Sequence, residues 1–325
     1  MSHAPAAISG SVSSAGTEEA FRHEALLYAG DDEFLAGVLP FVESALVAGD
    51  PVVVALDESK IELVRGALES DAAKVHFSDM REVGLNPARL IPAWREFTET
   101  RAASGRRVWG VGEPIWAGRS EAELIECHRH EALLNLAFTG AGPMSFLCPY
   151  DVEALDGGVI AEAHRSHSAI VQSGERRPSD DFCGFAAAAA PFAESLPEPR
   201  GPVADRSFGA GGLACVRDYV ARRARAAGLG PSRCDDLVLA VNEVASNSVR
   251  HGGGRGELRI WRERETLLCE VRDGGRLDDP LAGRRRPRVM EIGGHGLWIA
   301  NQVCDLVQLR SFADGCAVRI HMRVP

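Results

Sequence analysis

The stretch "AVNEVASNSVRHGGG", residues 240–254, decides the fold of the C-terminal part of the chain. Glu243, Asn247 and His251 recur at every fourth position, and because a helix advances about 100° per residue they line one edge of a helix. That edge borders the apolar face formed by residues 237–249. Leaving a carboxylate or an amide unpaired at the margin of a core costs about 2–7 kcal/mol. Either a bound ligand pairs with these polar groups, or the edge is solvated and His251 only interacts favourably with the dipole at the helix C-terminus.

The same edge bears on the kind of metal ion that could bind. Zinc hydrolase helices carry two histidines at i and i+4 with a glutamate between them, whereas the middle position here is Asn247. An amide oxygen is a hard ligand that suits Mg²⁺, which usually comes with substrate phosphates. The sequence therefore favours Mg²⁺ over zinc at this helix.

A second stretch, "TLLCEVRDGGR" (266–276), reads as a strand that ends in a carboxylate. Every second side chain of the strand points inward, and Asp273 belongs to this inward-pointing set. A buried acceptor followed by Gly274 and Gly275, where the backbone can come close to a ligand, suits the amino group of an adenine ring.

A third stretch, "GGHGLWIANQVCD" (293–305), places glycines directly before an apolar helix. Gly294 and Gly296 lie where the free N–H groups and the positive dipole end of that helix form an anion site. Each stretch alone has low specificity, but the three in this order are specific.

The order E-x-x-x-N-x-x-x-H, D-x-G and G-x-G-L resembles the N, G1 and G2 boxes of the GHKL ATPase superfamily. The trailing "GLWIANQVCD" is most similar to anti-sigma regulatory factors with serine/threonine protein kinase activity. The resemblance implies an α+β two-layer sandwich of the Bergerat type for residues 207–325. Two helices followed by sequential strands independently indicate a mostly antiparallel sheet with helices on one face.

The resemblance also implies a role for each matching residue. Asn247 would ligate Mg²⁺ that bridges the ATP phosphates, and Asp273 with Gly275 would hold adenine. Glu243 would be the general base that accepts a proton from a substrate Ser or Thr hydroxyl. The other implied ATP-binding residues are the supporting His251 and the phosphate-cradling Gly294, His295, Gly296 and Leu297.

The loop after D-x-G departs from the family pattern. The family often reads D-x-G-x-G, and here Leu277 stands at the second glycine, which alters the loop at the adenine. Residues 276–293 also carry "RRRPR". We interpret this loop as a solvated, mobile lid; the alternative is that its arginines contact phosphates or a partner. These arginines are Arg284, Arg285, Arg286 and Arg288.

In the N-terminal part, strand-like runs alternate with helical stretches, and the runs are apolar at both parities. This pattern predicts an α/β fold with a parallel sheet covered on both faces. The predicted strands are "EALLYA" (24–29), "PVVVALD" (51–57), "KVHFSD" (74–79), "RVWGVGE" (107–113) and "MSFLCPYD" (144–151). Four of them end in an acid, which we interpret as a cap or turn residue, with a ligand crevice as the alternative. These acids are Asp57, Asp79, Glu113 and Asp151.

Several segments here look like the MEDS sensory domain of bacterial regulators, which is thought to sense small hydrocarbon derivatives. They include "FRHEALLYAGDDEFLAGVLPF", "NPARLIPAWREF" and "GEPIWAGRSEAELIECHRHEALLNLAF". The resemblance spans residues 21–172 and implies a RecA-like fold and a small-molecule ligand. No G-x-x-x-x-G-K-[ST] follows the first strand, so we do not expect ATP to bind here as in a P-loop.

Cys127, His128 and His130, with His23 elsewhere, are candidate residues for a metal or redox role. Their spacing gives no tetrahedral ligand set, so we interpret them as helix surface. The eight cysteines include no C-x-x-C pair, which is typical of small buried residues in a reducing compartment.

Composition restricts the partners. A net charge of −10 and a pI near 5.5 argue against binding to nucleic acid or to an anionic membrane. The N-terminus does not resemble a signal peptide and no apolar run reaches membrane-spanning length, so we expect a cytoplasmic protein. Residues 173–206, rich in Pro, Ala and polar residues, are predicted to be a linker.

These observations predict a two-domain regulator of a bacterial stress response. The N-terminal domain would control an ATP-dependent kinase that binds a sigma factor and phosphorylates Ser or Thr on an anti-sigma-factor antagonist. One alternative is a non-catalytic, ATP-dependent switch that sequesters its partner, favoured by Leu277. A sensor histidine kinase is less favoured, since no paired phosphoacceptor helices precede the ATPase region. The resemblance also suggests a homodimer.

Overall fold

The described residues form two β-sheets with flanking helices. The structure, a computed structural model, describes residues 21–101, 105–184, 194–287 and 294–325. Within these ranges no helix combines the length and apolarity needed to cross a membrane.

The N-terminal sheet has seven strands in the order β3-β2-β4-β5-β1-β6-β7. Its strands are β1 (Phe21–Tyr28), β2 (Val52–Leu56), β3 (His76–Asp79), β4 (Val108–Gly112), β5 (Met144–Asp151), β6 (Ala169–Gln172) and β7 (Glu175–Pro178). All neighbouring pairs are parallel except β6 and β7. The predicted parallel sheet is therefore confirmed, with one antiparallel edge strand that lies inside the segment predicted as a linker.

Helices cover both faces of this sheet. They are α1 (Gly30–Ala48), α2 (Glu58–Leu68), α3 (Met80–Val83), α4 (Leu90–Arg101), α5 (Glu121–Ala137) and α6 (Gly157–Ser166), with short 3₁₀ turns at Glu69–Lys74 and Pro87–Arg89. On one face Phe34 and Val64 pack against the strands, and on the other Trp94 and Leu133 do so. Because both faces are buried, the strands are apolar at both parities.

Three of the four acids at strand ends cap local structure. The carboxylates of Asp57, Asp79 and Asp151 accept hydrogen bonds from main-chain N–H groups two or three residues later. Glu113 differs, because it is 3% exposed and accepts hydrogen bonds from Tyr28 Oη at 2.7 Å and from Lys60 Nζ at 2.6 Å. The interpretation as caps is thus correct for three residues, and the fourth forms a buried ion pair.

The C-terminal sheet is fully antiparallel, in the order β11-β12-β10-β9-β8. Its elements are β8 (Ala204–Gly209), a 3₁₀ turn (Ala210–Gly212), α7 (Leu213–Ala226), α8 (Pro231–His251), β9 (Arg255–Glu263), β10 (Thr266–Asp273), α9 (His295–Val303), β11 (Leu306–Ser311) and β12 (Cys316–Arg323). Apolar residues of α7 and α8, such as Val220 and Val241, pack on one sheet face with Ile320. This confirms the predicted two-layer arrangement and adds β8, which the sequence pattern did not predict.

Helix α5 lies between the N-terminal sheet and the C-terminal sheet, so it is buried on more than one side. Cys127 is 0% exposed and His130 is 1% exposed. The interpretation as helix surface is therefore wrong for Cys127 and His130, whereas His128 is half-buried. Burial raises the pKa of the Cys127 thiol to about 12, so this thiol stays protonated at neutral pH.

Candidate functional site

Three of the predicted site residues meet where α8 faces the first turn of α9. Glu243 and Asn247 lie one turn apart on α8, and both are half-buried. A Cβ atom placed on Gly296 would lie 3.1 Å from Asn247 Nδ2 and 3.2 Å from Glu243 Oε2. A side chain at 296 would press against both groups, so glycine permits this close approach. The carboxylate, the amide and the helix N-terminus therefore converge.

Asp273 ends β10 and is held in place from two sides. Its Oδ2 atom accepts a hydrogen bond from Ser248 Oγ at 2.6 Å, and its Oδ1 atom accepts one from the Gly275 N–H at 2.8 Å. A Cβ atom on Gly252 would overlap the Asp273 carboxylate, so the end of α8 passes this strand only as glycine. A carboxylate offers about four lone-pair positions, and the fixed group can accept further hydrogen bonds from a ligand.

The beginning of α9 has the features of an anion-binding end. Gly294 caps the helix with φ of 77°, in the left-handed region. The N–H groups of residues 295–297 have no acceptor within the helix, and they lie at its positive dipole end. Leu297 is half-buried and packs against the C-terminal core. His251, the last residue of α8, has an exposed side chain.

Leu277, which departs from the glycine of the D-x-G-x-G pattern, anchors its loop to the sheet. Its side chain is half-buried against the C-terminal core. Its main-chain N–H donates a hydrogen bond to Ser311 Oγ at the end of β11, at 2.9 Å. A glycine at this position could keep the main-chain hydrogen bond but would lose the packing of the Leu277 side chain.

The sequence did not single out the residues that support Asp273. Ser248 follows Asn247 directly, and Gly252 is the first of the three glycines. Both residues therefore lie inside the stretch that the sequence singled out, but the sequence does not show that they contact Asp273. Cys316 pairs with Asp273 across β10 and β12. Burial, together with the charge of Asp273, raises the pKa of this thiol to about 12, so it remains neutral.

Comparison with known families accounts for both halves of the chain. Residues 22–168 match the family model described as "MEDS: MEthanogen/methylotroph, DcmR Sensory domain", and residues 210–322 match the model described as "Histidine kinase-like ATPase domain". The chain joins these two domains. A search of curated proteins finds no match. The two segments are called the MEDS domain and the ATPase domain below.

The geometry of the ATPase domain fits the ATP that such a domain implies. Ser248 and Gly275 hold the Asp273 carboxylate in place. The Asn247 amide lies beside the start of α9, because Gly296 has no Cβ there. A carboxylate acceptor suits an exocyclic amino group, and an amide oxygen suits a hard cation such as Mg²⁺. The residues present therefore fit a nucleotide with Mg²⁺.

A buried group of charged residues joins the two domains. Glu126 on α5 accepts hydrogen bonds from Arg310 Nη1 at 2.8 Å and from Arg284 Nη2 at 3.2 Å, and its Oε2 lies 3.5 Å from Arg129 Nη1. The four side chains, called the Glu126 cluster, are 1–4% exposed. Burial alone would raise the pKa of the Glu126 carboxyl, but the charges of the three arginines hold it below its ordinary value. The carboxylate is therefore ionised at neutral pH.

The interpretation of loop 276–293 as a solvated lid is wrong for residues 281–284. Arg284 is 3% exposed, and Leu281 packs into the core of the MEDS domain. Arg285 and Arg286 have 49% and 70% exposed side chains, as a solvated loop predicts. Arg288 lies outside the described residues.

Helix α9 is also tied to the MEDS domain. Arg89 donates hydrogen bonds to the main-chain oxygens of Asn301 and Cys304, each at 2.8 Å, and Asn86 Nδ2 donates to the Asn301 oxygen at 3.1 Å. The Asn301 side chain in turn donates to the Gly283 oxygen at 3.0 Å. The MEDS domain thus contacts both α9 and the loop that leads to it, which are the elements beside the candidate ATP site.

Proposed function

We propose that this protein is an anti-sigma regulatory factor whose ATPase domain binds ATP with Mg²⁺ and phosphorylates Ser or Thr on an anti-sigma-factor antagonist. The MEDS domain would control this activity in response to a small molecule or stress. One observation carries the proposal: Glu243 Oε2 and Asn247 Nδ2 both lie about 3 Å from the position of a Cβ on Gly296. The groups to which we assign the roles of base, cation ligand and phosphate-binding helix end thus lie side by side, which supports the proposal.

The chemistry assigned to these residues is phosphoryl transfer. The substrate hydroxyl oxygen forms a bond to the γ-phosphorus, the bond from that phosphorus to the bridging oxygen breaks, and ADP leaves. Glu243 accepts the hydroxyl proton, a role that requires reach rather than a high pKa. Mg²⁺, when bound with ATP, neutralises charge that develops on the phosphates. Asp273 orients the adenine, and the amides of residues 295–297 hold phosphate.

Control by the MEDS domain would act through the loop between the D-x-G and G-x-G stretches. Leu281 and Arg284 of this loop are buried against the MEDS domain, and Gly283 is hydrogen-bonded to Asn301 of α9. A movement of α5 that displaces Glu126 would therefore displace the segment that borders the nucleotide. A ligand can shift this arrangement only by binding its two states with different affinity.

The test is transfer of labelled γ-phosphate from MgATP to purified anti-sigma-factor antagonists of the source organism, with the full chain as enzyme. We expect transfer by the wild type and a loss of at least about 100-fold in Glu243→Gln, since general bases contribute about 10²–10⁴-fold. Glu265→Gln, at an exposed hairpin turn, is the matched control and should be unaffected. Transfer that is equal in the wild type and in Glu243→Gln would exclude the catalytic role of Glu243.

The second candidate function is sequestration of a partner without chemistry, which the packed Leu277 favours. Partner binding and phosphate transfer by Glu243→Gln separate the two functions, and a fluorescent ATP analogue reports nucleotide binding. Asp273→Asn should weaken nucleotide binding under both, because it removes the charge that Ser248 and Gly275 hold in place. Under sequestration, Glu243→Gln should leave partner binding and its dependence on ATP intact, and no phosphate should reach the partner.

A further inference from the structure

Four buried side chains of the MEDS domain, from four different segments, point their polar atoms at one another. They are His23 on β1, Glu131 on α5, Cys148 on β5 and His167 just after α6. Each is at most 3% exposed, and one nitrogen, oxygen or sulfur atom from each lies within 4.8 Å of the other three. Nothing in the roles assigned above uses this group, called the His23 cluster.

Three distances within the His23 cluster are close to those between the ligands of a tetrahedral metal ion. His23 Nε2 lies 3.0 Å from Glu131 Oε2 and 3.4 Å from Cys148 Sγ, and His167 Nε2 lies 3.3 Å from the same Glu131 oxygen. Ligands about 2.0–2.3 Å from a tetrahedral ion are about 3.3–3.6 Å apart. These three distances lie within about 0.3 Å of that range, and all four ligand atoms lie within 4.8 Å of one another.

The outer nitrogen of each imidazole is already oriented by an acceptor. His167 Nδ1 lies 2.8 Å from the Ala163 main-chain oxygen, and His23 Nδ1 lies 3.3 Å from Asn135 Oδ1. The Asn135 amide is itself oriented, because its Nδ2 donates to the Ser166 oxygen at 2.8 Å. Such contacts place the proton on Nδ1 and leave Nε2 as the ligand atom, as is usual for histidines that bind metals.

With the protons on Nδ1, hydrogen-bond acceptor atoms of the His23 cluster face one another. With Nδ1 protonated, neutral His167 presents the Nε2 lone pair to a carboxylate oxygen at 3.3 Å. Neither His167 Nε2 nor Glu131 Oε1 has a hydrogen-bond partner among the described residues, although both atoms are buried. Buried polar atoms without partners cost free energy, so a cation among these lone pairs would be stabilising.

We propose that the His23 cluster is a binding site for a divalent transition-metal ion of the Zn²⁺ class. Two imidazoles, a carboxylate and a thiolate form a mixed set that suits Zn²⁺ or Co²⁺, whereas Mg²⁺ and Ca²⁺ prefer oxygen ligands alone. The carboxylate and the thiolate together neutralise the charge of the ion in a dry interior. With four protein ligands, the ion would join β1, α5, β5 and the segment before β6.

The proposed site shares only His23 with the set of residues considered from the sequence. Cys127 and His130 lie on α5 within four residues of Glu131, yet neither belongs to the His23 cluster. Cys127 Sγ is 3.4 Å from the Pro114 main-chain oxygen. Cys127 therefore provides a matched control for Cys148, because both are buried thiols beside the same helix.

The experiment is titration of the reduced, chelator-treated full chain with Co²⁺, without nucleotide. We expect one Co²⁺ per chain, with a thiolate-to-cobalt charge-transfer band and the intense visible bands of four-coordinate cobalt, and displacement of both by Zn²⁺. Cys148→Ala should abolish the charge-transfer band and weaken binding by more than about 100-fold, beyond the 10–100-fold typical of losing an outer partner. Cys127→Ala should keep the band and the affinity.

Two results would overturn the proposal. One is a wild-type chain that binds neither Co²⁺ nor Zn²⁺ stoichiometrically. The other is a charge-transfer band that persists without Cys148. If Cys148→Ala does not fold, Cys148→Ser keeps the side-chain size and still removes the sulfur, so the band must vanish. Cobalt bound only by oxygens elsewhere gives no thiolate band.

Discussion

Replacing Glu126 by glutamine tests whether the buried charges hold the two domains together. Glu126→Gln keeps the size and shape of the side chain and removes its charge. It leaves Arg129, Arg284 and Arg310 buried with no carboxylate within the Glu126 cluster. Removing one partner of a buried ion pair costs about 3–5 kcal/mol, because the remaining charge is left unpaired in a poorly solvated place.

The expected shift in melting temperature follows from the size of the chain. Unfolding entropy is about 2.1 cal/mol/K per residue, or about 0.7 kcal/mol/K for 325 residues. A loss of about 3–5 kcal/mol therefore lowers Tm by about 4–7 °C. If the domains unfold separately, the transition that contains their interface should shift.

Differential scanning calorimetry on the full chain provides the measurement. Glu62→Gln is the control, because Glu62 is 66% exposed and its pair with Arg65 lies on the surface. Such pairs contribute at most about 1 kcal/mol, so the control should lower Tm by less than about 1.5 °C. Equal shifts in the two variants would refute the view that the Glu126 cluster stabilises the interface.

The difference in stability between the wild type and Glu126→Gln should depend on pH in a defined direction. The arginines hold the pKa of the Glu126 carboxyl below its ordinary value of about 4.5. A group with a lowered pKa in the folded state stabilises fully above its unfolded pKa and loses this effect as pH falls through the folded pKa. The difference in stability between wild type and Glu126→Gln should be full at pH 7 and should shrink below about pH 4.5.

Three further substitutions test other parts of the structure. Lys60→Met leaves Glu113 buried without its cation and should destabilise the chain by about 3–5 kcal/mol in thermal unfolding. Asn135→Ala removes the acceptor that orients His23 and should weaken Co²⁺ binding by about 10–100-fold in the titration. Gly283→Ala combines φ of 72° with a Cβ that overlaps helix α9, and should cost about 2–5 kcal/mol of unfolding free energy and disturb nucleotide binding.

Each of these substitutions has a control in the same chain. Lys74→Met, at a residue 65% exposed, should change stability by less than about 1 kcal/mol. Asn242→Ala, on a half-buried position of the ATPase domain, should leave cobalt affinity unchanged. Gly66→Ala, in a helix with nothing near its Cβ, should be neutral or stabilising. A control as damaging as its partner would contradict the corresponding prediction.

Local patterns were sufficient to predict much of the fold. The strand Met144–Asp151 has the bounds read from the sequence, and the strand that begins at Thr266 ends at Asp273 as predicted, because apolar runs between turn residues determine them. The weaker edge strands were missed. Glu175–Pro178 and Ala204–Gly209 are mostly polar or charged, since an edge strand exposed to solvent needs little apolar surface.

The parts that could not be predicted depend on contacts between distant residues. Glu126 and Arg284 are separated by 158 positions, so no spacing rule connects them. The charged residues around Cys127 are typical of a solvated helix face. Only the fold shows that the C-terminal sheet packs against this helix. Likewise, His23 and Glu131 are 108 positions apart, and only the fold brings them within 3.0 Å.

The position of α5 between the two domains limits how freely they can be exchanged. Glu126 and Glu131 are five residues apart, which places them about 140° from each other around the helix, one toward the ATPase domain and one toward the MEDS sheet. A MEDS domain transplanted onto an ATPase domain that lacks counterparts of Arg284 and Arg310 would bury a carboxylate beside a single arginine. A functional chimera therefore has to carry α5 and these two arginines together as a matched set.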